Sequence, residues 1–583
     1  MTLETLSQSK PAHIFGIERK KVITDLPETF PEVLRRTAEL FPEKGIQMRD
    51  RAGRVSGRRS YPELLQAVKE SAGRWRSLGV KSGDCILLCL PTAWDFIDAW
   101  LGAICIGAHP AAIASVMGGL SASSNFAERL EKYRSVIDAE WIIAGDRMVN
   151  DLRKDYGDTL GAISYSTADI ESQEIGEERL HEAKPEELAF LQFTSGSTGM
   201  PRAVMISHRM ATHNAFSINE GIGDRYGAPA DEWAELHSAW LPMHHDMGLI
   251  GCLLLAIANG IELSLMNPTT FLARPIKYLE SLSGKKAMMA GPNFGYQFCV
   301  DRIKKENLVG LDLSKVGVAM TGSEMIRPET MDAFCNLVEC TGFTPDKIMP
   351  CYGMAEATLA VTFDSNGAGV RTHLTPQQSG YHLENQEVVC CGIAVPDTEV
   401  RIANDDGETL QEGDLGEILV KGPAVFSGYY KNAAETAASK HGEWLRTGDL
   451  GFTANGELYI AGRFKEILVI RGDNIMPHEL EWLAEEARGQ GTGGERIAAF
   501  SVHRPNIGEE IVLVVETNES DAETLKGLDR AIKTRIGRAM SLPVFDLAFV
   551  RRGAIPRTSS GKIQRGKIKE DYLNQKVERV EFE

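Results

Sequence analysis

A loop rich in hydroxyl groups and glycine occupies positions 194 to 199, inside the run LAFLQFTSGSTGMPRAVMISH of residues 188 to 208. An apolar segment predicted as a strand leads into the loop, and a second predicted strand, RAVMIS, follows it. Glycines let backbone N–H groups approach an anion closely, and Arg202 adds a positive charge. The pattern therefore suits a polyphosphate. The loop residues are Thr194, Ser195, Gly196, Ser197, Thr198 and Gly199.

An ordinary turn is the alternative for such a loop if it stood alone. The loop is not the P-loop of kinases and GTPases, because it lacks the Gly-Lys pair and a strand, not a helix, follows it. A second candidate segment is WLPMHHDMGLIG, residues 240 to 251. It places His244, His245 and Asp246 on a turn, although a histidine in an apolar setting is more often structural. Adjacent strand residues point to opposite faces, so both histidines cannot face one site.

Five more segments place polar residues after strands or turns, where ligand loops of α/β proteins lie. In each case a plain turn, a solvated cap or a solvent-exposed lysine is the alternative. The segments are GPNFGY at 291 to 296, TGSEMIRP at 321 to 328, CYGMAEAT at 351 to 358, RTGDL at 446 to 450 with GRFKEILVIRGDN after it, and IPRTSSGKIQR at 555 to 565.

The first loop, TSGSTGMPRAV, is similar to the phosphate-loop motif of the adenylate-forming superfamily, which includes acyl-CoA synthetases, peptide-synthetase adenylation domains and luciferases. Where that family usually has Lys then Gly, this sequence has Arg202 and Ala203, which keep the charge and the small size. The other segments follow in the family's order, and the resemblance covers roughly residues 30 to 570. It implies an enzyme that uses ATP and Mg²⁺ to convert a carboxylate into an acyl-adenylate and pyrophosphate.

The resemblance also implies a role for each segment. The phosphate loop and Arg202 would hold the nucleotide phosphates, Asp449 the ribose hydroxyls, and Arg463 ribose or phosphate. Tyr352 would stack on adenine, and Glu356 would act in catalysis as the Mg²⁺ ligand. The remaining nucleotide-binding candidates are Gly322, Ser323, Glu324, Cys351, Gly353 and Met354.

Three further roles follow from the resemblance. His245 would act beside the reacting carboxylate, at the mouth of the acyl pocket. Lys562 is predicted to be the catalytic lysine, and Lys465 stands at the family's hinge between two domains. The other acyl-pocket candidates are His244, Asp246, Met247, Gly291, Pro292 and Asn293. Charge that builds on the phosphoryl oxygens would be stabilised by Glu356-bound Mg²⁺, the 194 to 199 loop and Lys562.

Three segments resemble the fatty acyl-AMP ligases more than the other branches of the superfamily. They are LPMHHDMGLIG, YGMAEATLAVTF and RGDNIMPHELEWLAEEA. That branch passes its adenylate to the phosphopantetheine thiol of an acyl carrier protein, and an extra segment limits the movement of its lid. The polar connector of residues 365 to 388 is a candidate for that segment, or a plain surface loop. An acyl-CoA synthetase that transfers to coenzyme A is the alternative function. A pseudoenzyme that binds ligand without turnover is a third.

The elements that must position these residues alternate between short apolar strands and helices, as at Cys85 to Leu90, Trp141 to Ala144 and Val316 to Met320. This alternation predicts an α/β fold with largely parallel, covered sheets. From Gly392 the pattern changes to short alternating strands, which predicts a β-rich subdomain. We therefore expect a large N-terminal body of stacked α/β subdomains plus this β-rich part, residues 1 to 461. A small α+β lid domain, residues 462 to 583, is expected to follow, with a Gly-Asp-Asn turn at 472 to 474 and then an amphipathic helix that Pro477 can start.

Composition excludes other classes of function. The chain has 63 basic and 81 acidic residues, a net charge of −18, which argues against a nucleic-acid surface or a polybasic membrane anchor. The start MTLETLSQSKPAHIFGIERKK has no apolar core typical of a secretory signal. The apolar stretch 99 to 120 is broken by His109 and Pro110, so it is predicted to be buried core and not a membrane span. The 10 cysteines without a CxxC pair favour a cytoplasmic enzyme with reduced thiols.

Overall fold

The computed structural model describes a mixed α/β chain, as the sequence predicted. The described residues are 10–15, 26–115, 126–194, 200–226, 228–364, 367–376, 387–470, 473–489, 496–504, 508–540, 542–557 and 562–580. The predicted loop residues Ser195, Gly196, Ser197, Thr198 and Gly199 lie outside these ranges, as does much of the 365 to 388 connector.

A nine-stranded sheet forms the centre of the N-terminal body, and we call it the central sheet. Its six middle strands are parallel, and antiparallel strands flank them on both sides. The parallel strands are largely buried because helices cover them. In spatial order the strands are Ile393–Ala394, Ala360–Phe363, Ile348–Gly353, Val318–Gly322, Ala287–Pro292, Leu236–Ala239, Leu263–Met266, Gly45–Arg49 and Val55–Ser60.

A second sheet in the same body has six strands, and its last two strands flank the predicted phosphate loop. It is parallel except for its last strand, which returns antiparallel to the strand before it. The predicted strands at Cys85 and Trp141 are confirmed as its members. In spatial order the strands are Ser164–Ser166, Trp141–Ala144, Cys85–Cys89, His109–Ala112, Leu188–Thr194 and Arg202–Ser207.

An antiparallel sheet confirms the predicted β-rich part. Its strands are His13–Phe15, Glu399–Ala403, Gly416–Lys421, Trp444–Ala454, Lys440–His441 and Glu457–Arg463. The strand Glu457–Arg463 pairs with Trp444–Ala454 and sets Asp449 opposite Arg463. A small hairpin joins Thr372–Leu374 to Glu387–Val389. The β-rich sheet therefore brings two of the predicted nucleotide-binding residues together.

The C-terminal domain has its own apolar core, which begins at Leu468. Its strands are Leu468–Ile470 paired with Asp473–Ile475, and the sheet Ile497–Arg504, Gly508–Thr517 and Val544–Arg551. The helix Pro477–Arg488 starts at Pro477 as predicted, because proline fits the first turn of a helix. The expected turn at Asp473 and Asn474 is instead a strand, since these residues pair with Leu468–Ile470.

Helices cover the sheets, and local sequence explains how several begin and end. Ser60 and Glu63 form a reciprocal capping box at the start of Tyr61–Leu78, and Gly79 ends that helix at a φ of 101°. The uncharged stretch from Ala99 enters the buried helix Trp94–Ile104, as predicted. The other α-helices are Phe30–Leu40, Phe126–Ile137, Asp146–Asp155, Thr167–Glu171, His208–Tyr226, Ala230–Trp233, Asp246–Gly248, Leu255–Asn259, Pro268–Ala273, Ile276–Leu282, Asn293–Arg302, Pro328–Val338, Ala433–Ala438, Ala522–Met540 and Arg565–Leu573.

Candidate active site

Three neighbouring parallel strands of the central sheet end at predicted site residues. Ala287–Pro292, Val318–Gly322 and Ile348–Gly353 lie side by side, with Pro292 opposite Gly322. Because parallel strands share one carboxyl edge, the loops that follow them meet there. The edge therefore collects most of the predicted adenine-binding and acyl-pocket residues in one place.

Glycines are required where these loops pack tightly. A Cβ atom on Gly353 would lie 1.8 Å from the Leu359 carbonyl oxygen, and one on Gly322 would lie 2.7 Å from the Cys351 carbonyl oxygen. Ser323 has a φ of 68°, a left-handed conformation that is uncommon outside glycine. Met354 stays in place because its N–H donates to the Leu359 carbonyl over 2.8 Å. The sequence thus gives two ligand loops with little conformational freedom.

Asp449 joins two other predicted site residues. The Tyr352 hydroxyl donates to Asp449 Oδ2 over 2.6 Å, and Arg463 Nε donates to Oδ1 over the same 2.6 Å. Burial, and then the Asp449 charge, raise the pKa of Tyr352 well above its ordinary value, so the phenol stays protonated. The Asp449 side chain is only 8% exposed. Both carboxylate oxygens predicted to meet ribose are therefore also the groups that orient Tyr352 and Arg463.

Glu356 is buried in the short turn that joins the strands Ile348–Gly353 and Ala360–Phe363 of the central sheet. The Tyr429 hydroxyl donates to Glu356 Oε1 over 2.7 Å, and Arg202 Nη2 lies 3.6 Å from the same oxygen. The Arg202 guanidinium also lies 4.6 Å from the centre of the Tyr429 ring and 3.3 Å from Glu435 Oε2. Burial, and then the Glu356 charge, raise the pKa of Tyr429. Glu356 and Arg202 are far apart in sequence, but both contact Tyr429.

Arg202 also marks the exit of the predicted phosphate loop. It pairs in register with Thr194, so the two ends of that loop are fixed by the antiparallel strands of the second sheet. The Thr194 hydroxyl is buried and has no hydrogen-bond partner among the described residues. Together, these two residues present a hydroxyl and a guanidinium at the loop ends, as a polyphosphate site requires.

The two neighbouring histidines lie in a turn and have different surroundings. His245 Nδ1 lies 2.6 Å from Asp246 Oδ1, whereas the His244 Nε2 atom is buried without a hydrogen-bond partner among the described residues. Burial, and then the neighbouring charges of His245 and Arg129, lower the pKa of His244 to about 3, so its ring is neutral. Met247, one residue past Asp246, is buried and its sulfur lies 3.5 Å from the Ser323 hydroxyl.

The predicted acyl-pocket strand packs beside an aromatic pair. The ring of Trp240 stacks on Phe271 with the ring centres 3.8 Å apart, and a Cβ atom on Gly291 would lie 3.7 Å from Trp240. Asn293 begins the next helix, is buried, and accepts a hydrogen bond from the Arg327 N–H over 3.0 Å. The edge of the sheet therefore has an apolar wall beside its polar loops.

Lys562 of the C-terminal domain lies within electrostatic range of the body's site. Burial alone would raise the pKa of Asp246, but the charges of His245 and Lys562 and the Met247 N–H hold it below its ordinary value. Burial raises the pKa of Glu324, and Lys562 opposes that rise. One cleft of about 1980 Å³ is lined by Lys562 together with Tyr352, Glu356, Asp449 and Arg463. The predicted catalytic lysine and nucleotide-binding residues thus share one cavity.

The predicted hinge residue lies between the β-rich sheet and the C-terminal core. Lys465 is exposed in the short 3₁₀ helix Phe464–Glu466, directly after the strand that ends at Arg463. A residue between two domains can change its backbone torsion angles when one domain rotates relative to the other, and Lys465 lies at such a position.

The site fits a magnesium ion through one buried carboxylate. Among the described residues no group of three or more His, Cys, Asp or Glu side chains could hold a metal alone. Mg²⁺ usually takes one or two protein carboxylates and fills its other positions with phosphate oxygens and water. Glu356, beside Arg202 and the ends of the phosphate loop, provides such a carboxylate.

Sequence reasoning missed Tyr429 and Glu435. Both contact Arg202, and Tyr429 also bonds Glu356, although they lie far along the chain. The run SGYYKN that contains Tyr429 has no spacing typical of a binding site, so only its aromatic pair could have drawn attention.

Comparisons with known proteins agree with this geometry. The profile of the AMP-binding enzyme family matches residues 34–430. The chain is 31% identical to a Caulobacter vibrioides protein named as an acyl-CoA synthetase, over 91% of this chain and 93% of that protein. It is also 33% identical to JamA of Moorena producens, which is named as a ligase of medium-chain fatty acids to an acyl carrier protein. That match covers 66% of this chain and 68% of JamA.

A solved structure reproduces nearly the whole architecture. It comes from a study of fatty acyl-adenylate ligases of E. coli and L. pneumophila, shares 29% identity and superposes with a TM-score of 0.84. The match covers 94% of this chain and 98% of that one, including the small C-terminal domain. Within the described ranges, none of the helices is both long and apolar enough to cross a bilayer.

Proposed function

The chain belongs to the AMP-binding enzyme family, and from this premise we propose that it activates a fatty acid as acyl-AMP and passes the acyl group to the phosphopantetheine thiol of an acyl carrier protein. The observation that supports the first step most is the shared cleft, which Lys562 lines together with Glu324 and the other nucleotide-binding candidates. A binding protein without turnover would not need a lysine from a second domain at this place.

In the proposed first step, a carboxylate oxygen of the fatty acid attacks the α-phosphorus of ATP. The new oxygen–phosphorus bond forms as the bond to the β-phosphate breaks, which gives acyl-AMP and pyrophosphate. Arg202 and Lys562 stabilise the charge that develops on the phosphoryl oxygens. Asp449 and Arg463 hold the ribose side, and Tyr352 provides a rigid aromatic face for adenine because its hydroxyl is fixed. Mg²⁺ bound at Glu356 would neutralise phosphate charge.

The remaining site residues shape the acid's end of the cleft. In this proposal His245, whose Nδ1 lies 2.6 Å from Asp246 Oδ1, would stand at the mouth of the acyl pocket, and His244 and the buried Met247 would line it. Gly291 keeps the wall clear beside Trp240, and Pro292 and Asn293 fix the turn into the helix behind it. This arrangement would leave an apolar route for an acyl chain along the edge of the central sheet.

The proposed domain division places the body at residues 1 to 461 and a mobile lid at 462 to 583. Its support is the separate core of the C-terminal domain and the exposed position of Lys465. For the second step we propose that the lid rotates at Lys465 and withdraws Lys562, which opens a path for the thiol.

Two measurements test the function. ATP–pyrophosphate exchange with a panel of fatty acids should depend on the acid, and the absence of exchange with every acid would refute adenylate formation. Isolated acyl-AMP is then offered coenzyme A or a pantetheinylated carrier protein, with mass detection of each product. Transfer to the carrier alone supports the proposal.

Transfer to coenzyme A would favour the second candidate, an acyl-CoA synthetase. The specific observation behind that candidate is the similarity to the Caulobacter vibrioides protein with this name. The similarity to JamA, which is named for a carrier protein, supports the first candidate.

A further inference from the structure

One helix of the C-terminal domain faces both the body and the segment that contains Lys562. This helix, Pro477–Arg488, is called the interface helix here. Residues three and four positions apart share a helix face. Its interface face consists of His478, Glu481, Trp482 and Glu485. The His478 and Trp482 rings lie 4.8 Å apart on this face.

Arg327 is the body residue that meets this face. Its guanidinium forms an ion pair with Glu485 and lies 5.0 Å from the centre of the Trp482 ring. The side chains of Arg327 and Glu485 are 22% and 29% exposed, so water screens the pair only in part. Arg327 is itself held by its N–H bond to Asn293 in the predicted acyl pocket. It therefore connects the acyl-pocket edge of the body to the interface helix.

Arg565 joins the same face to the catalytic segment. It donates to both Glu481 oxygens over 2.7 Å each, and to Glu466 Oε2 over 2.7 Å. Glu481 is buried and also accepts the Ala499 N–H over 3.0 Å, so its position is fixed within the domain. Because Arg565 follows Lys562 by only three residues, the interface helix determines where the lysine segment is anchored.

We propose that Arg327 is a positioning residue for adenylate formation, an inference that rests on the proposed function. Through its contacts with Glu485 and Trp482, Arg327 holds the C-terminal domain in the orientation that brings Lys562 into the cleft lined by Glu324 and Asp449. Its effect reaches Lys562 through the interface helix and Arg565, without contact with the reacting atoms. The contact is specific to this orientation, so it acts on adenylate formation and not on the later transfer to a thiol.

The test measures the two half-reactions of Arg327→Gln separately. Loss of a charge-assisted contact predicts about a tenfold lower kcat for acyl-AMP formation, with the KM for ATP unchanged. Transfer from supplied acyl-AMP to the thiol acceptor should stay at the wild-type rate. The double variant Arg327→Glu with Glu485→Arg should recover part of the rate that each single charge reversal loses. Wild-type kcat in Arg327→Gln, equal losses in both half-reactions, or no recovery in the double variant would overturn the proposal.

Two matched controls and one structural readout complete the design. Arg302→Gln removes an exposed arginine of the body that lies over the Phe298 ring, and Glu486→Gln removes an ion pair with Arg535 inside the C-terminal domain. Both should leave acyl-AMP formation unchanged, and a tenfold loss in either would count against a specific role of Arg327.

Hydrogen exchange of the interface helix, measured without substrates, separates this inference from the proposed function. Faster exchange in Arg327→Gln than in wild type would support the inference that Arg327 holds the interface helix. This support would stand even if no fatty acid yields acyl-AMP, because that result would refute only the proposed function. Unchanged exchange would overturn the inference even if the enzyme is active.

Discussion

The N-terminal body and the C-terminal domain hold their reactive groups in different ways. Asp449 and Glu356 in the body are buried, and their carboxylates are bonded by tyrosines of the body itself. Lys562 is exposed, and its segment is anchored through the ion pairs of Arg565. The proposed nucleotide site of the body would therefore persist if the two parts separated, whereas the proposed catalytic lysine would reach that site only while the C-terminal domain is docked. Binding of ATP and its chemistry can then be altered independently.

Lys562→Ala should give the largest effect and is the strictest test of that difference. Removing one charge that stabilises the transition state typically costs about a hundred- to a thousandfold in rate. We expect acyl-AMP formation to fall by that factor while ATP binding, measured by calorimetry, stays intact. Lys567→Ala is the control, since Lys567 pairs with Glu570 and Asp571 on the last helix. Equal activity, or lost ATP binding, would contradict the comparison.

Glu356→Gln tests the body's side of the comparison. The change removes a negative charge but preserves the shape and the bond from Tyr429. Weaker metal binding should shift the Mg²⁺ dependence of acyl-AMP formation to about tenfold higher concentration. Glu443→Gln, on an exposed pair with Lys421, should leave the titration unchanged. An unshifted curve for Glu356→Gln would exclude it as the ligand.

Asp449→Asn should have a smaller effect, confined to nucleotide binding. The asparagine keeps one acceptor but loses the charge that fixes both Tyr352 and Arg463. We expect the KM for ATP to rise about tenfold, as for a lost charged hydrogen bond, with a smaller change in kcat. Asp414→Asn, an exposed turn residue that accepts the Gln411 N–H, is the control. A change in kcat alone would show that Asp449 acts in the chemistry.

The sequence predicted the local elements of this fold well because their signals are short-range. The strand at Trp141–Ala144 and the helix start at Pro477 follow from a few adjacent residues. The sequence also indicated that Gly322 and Tyr352 would lie at one edge of the central sheet, because ligand-binding loops usually come after the carboxyl ends of parallel strands.

Contacts between distant segments could not be predicted in this way. Nothing local to Tyr429 indicates Glu356, 73 residues before it, and nothing near Glu485 indicates Arg327, 158 residues before it. Such pairs depend on how whole sheets and domains pack, which a periodic pattern does not encode. The resemblance to a family supplied the roles of single residues, but not the partners that orient them.

Glu479 allows the smallest and most local test, within the C-terminal domain alone. This residue is 8% exposed and caps the interface helix by accepting the Met476 N–H over 3.2 Å. Burial raises its pKa from 4.5 to about 8, and the Met476 N–H opposes the rise only in part. The folded state thus binds a proton more tightly than the unfolded state. The resulting stability is fully present below pH 4.5 and is lost as the pH rises through about 8.

Glu479→Gln should remove this pH dependence, because glutamine keeps the cap but cannot ionise. Between the two pKa values the wild type should lose at most about 1.4 kcal/mol of stability per pH unit, which the variant retains. Urea unfolding followed by pulsed hydrogen exchange of the interface helix should therefore give equal midpoints at pH 4 and a higher midpoint for Glu479→Gln at pH 8.5. Glu523→Gln, whose side chain is 87% exposed, should follow the wild type at both pH values. Parallel curves for Glu479→Gln and the wild type would show that the buried carboxyl does not govern the pH dependence of the stability of the C-terminal domain.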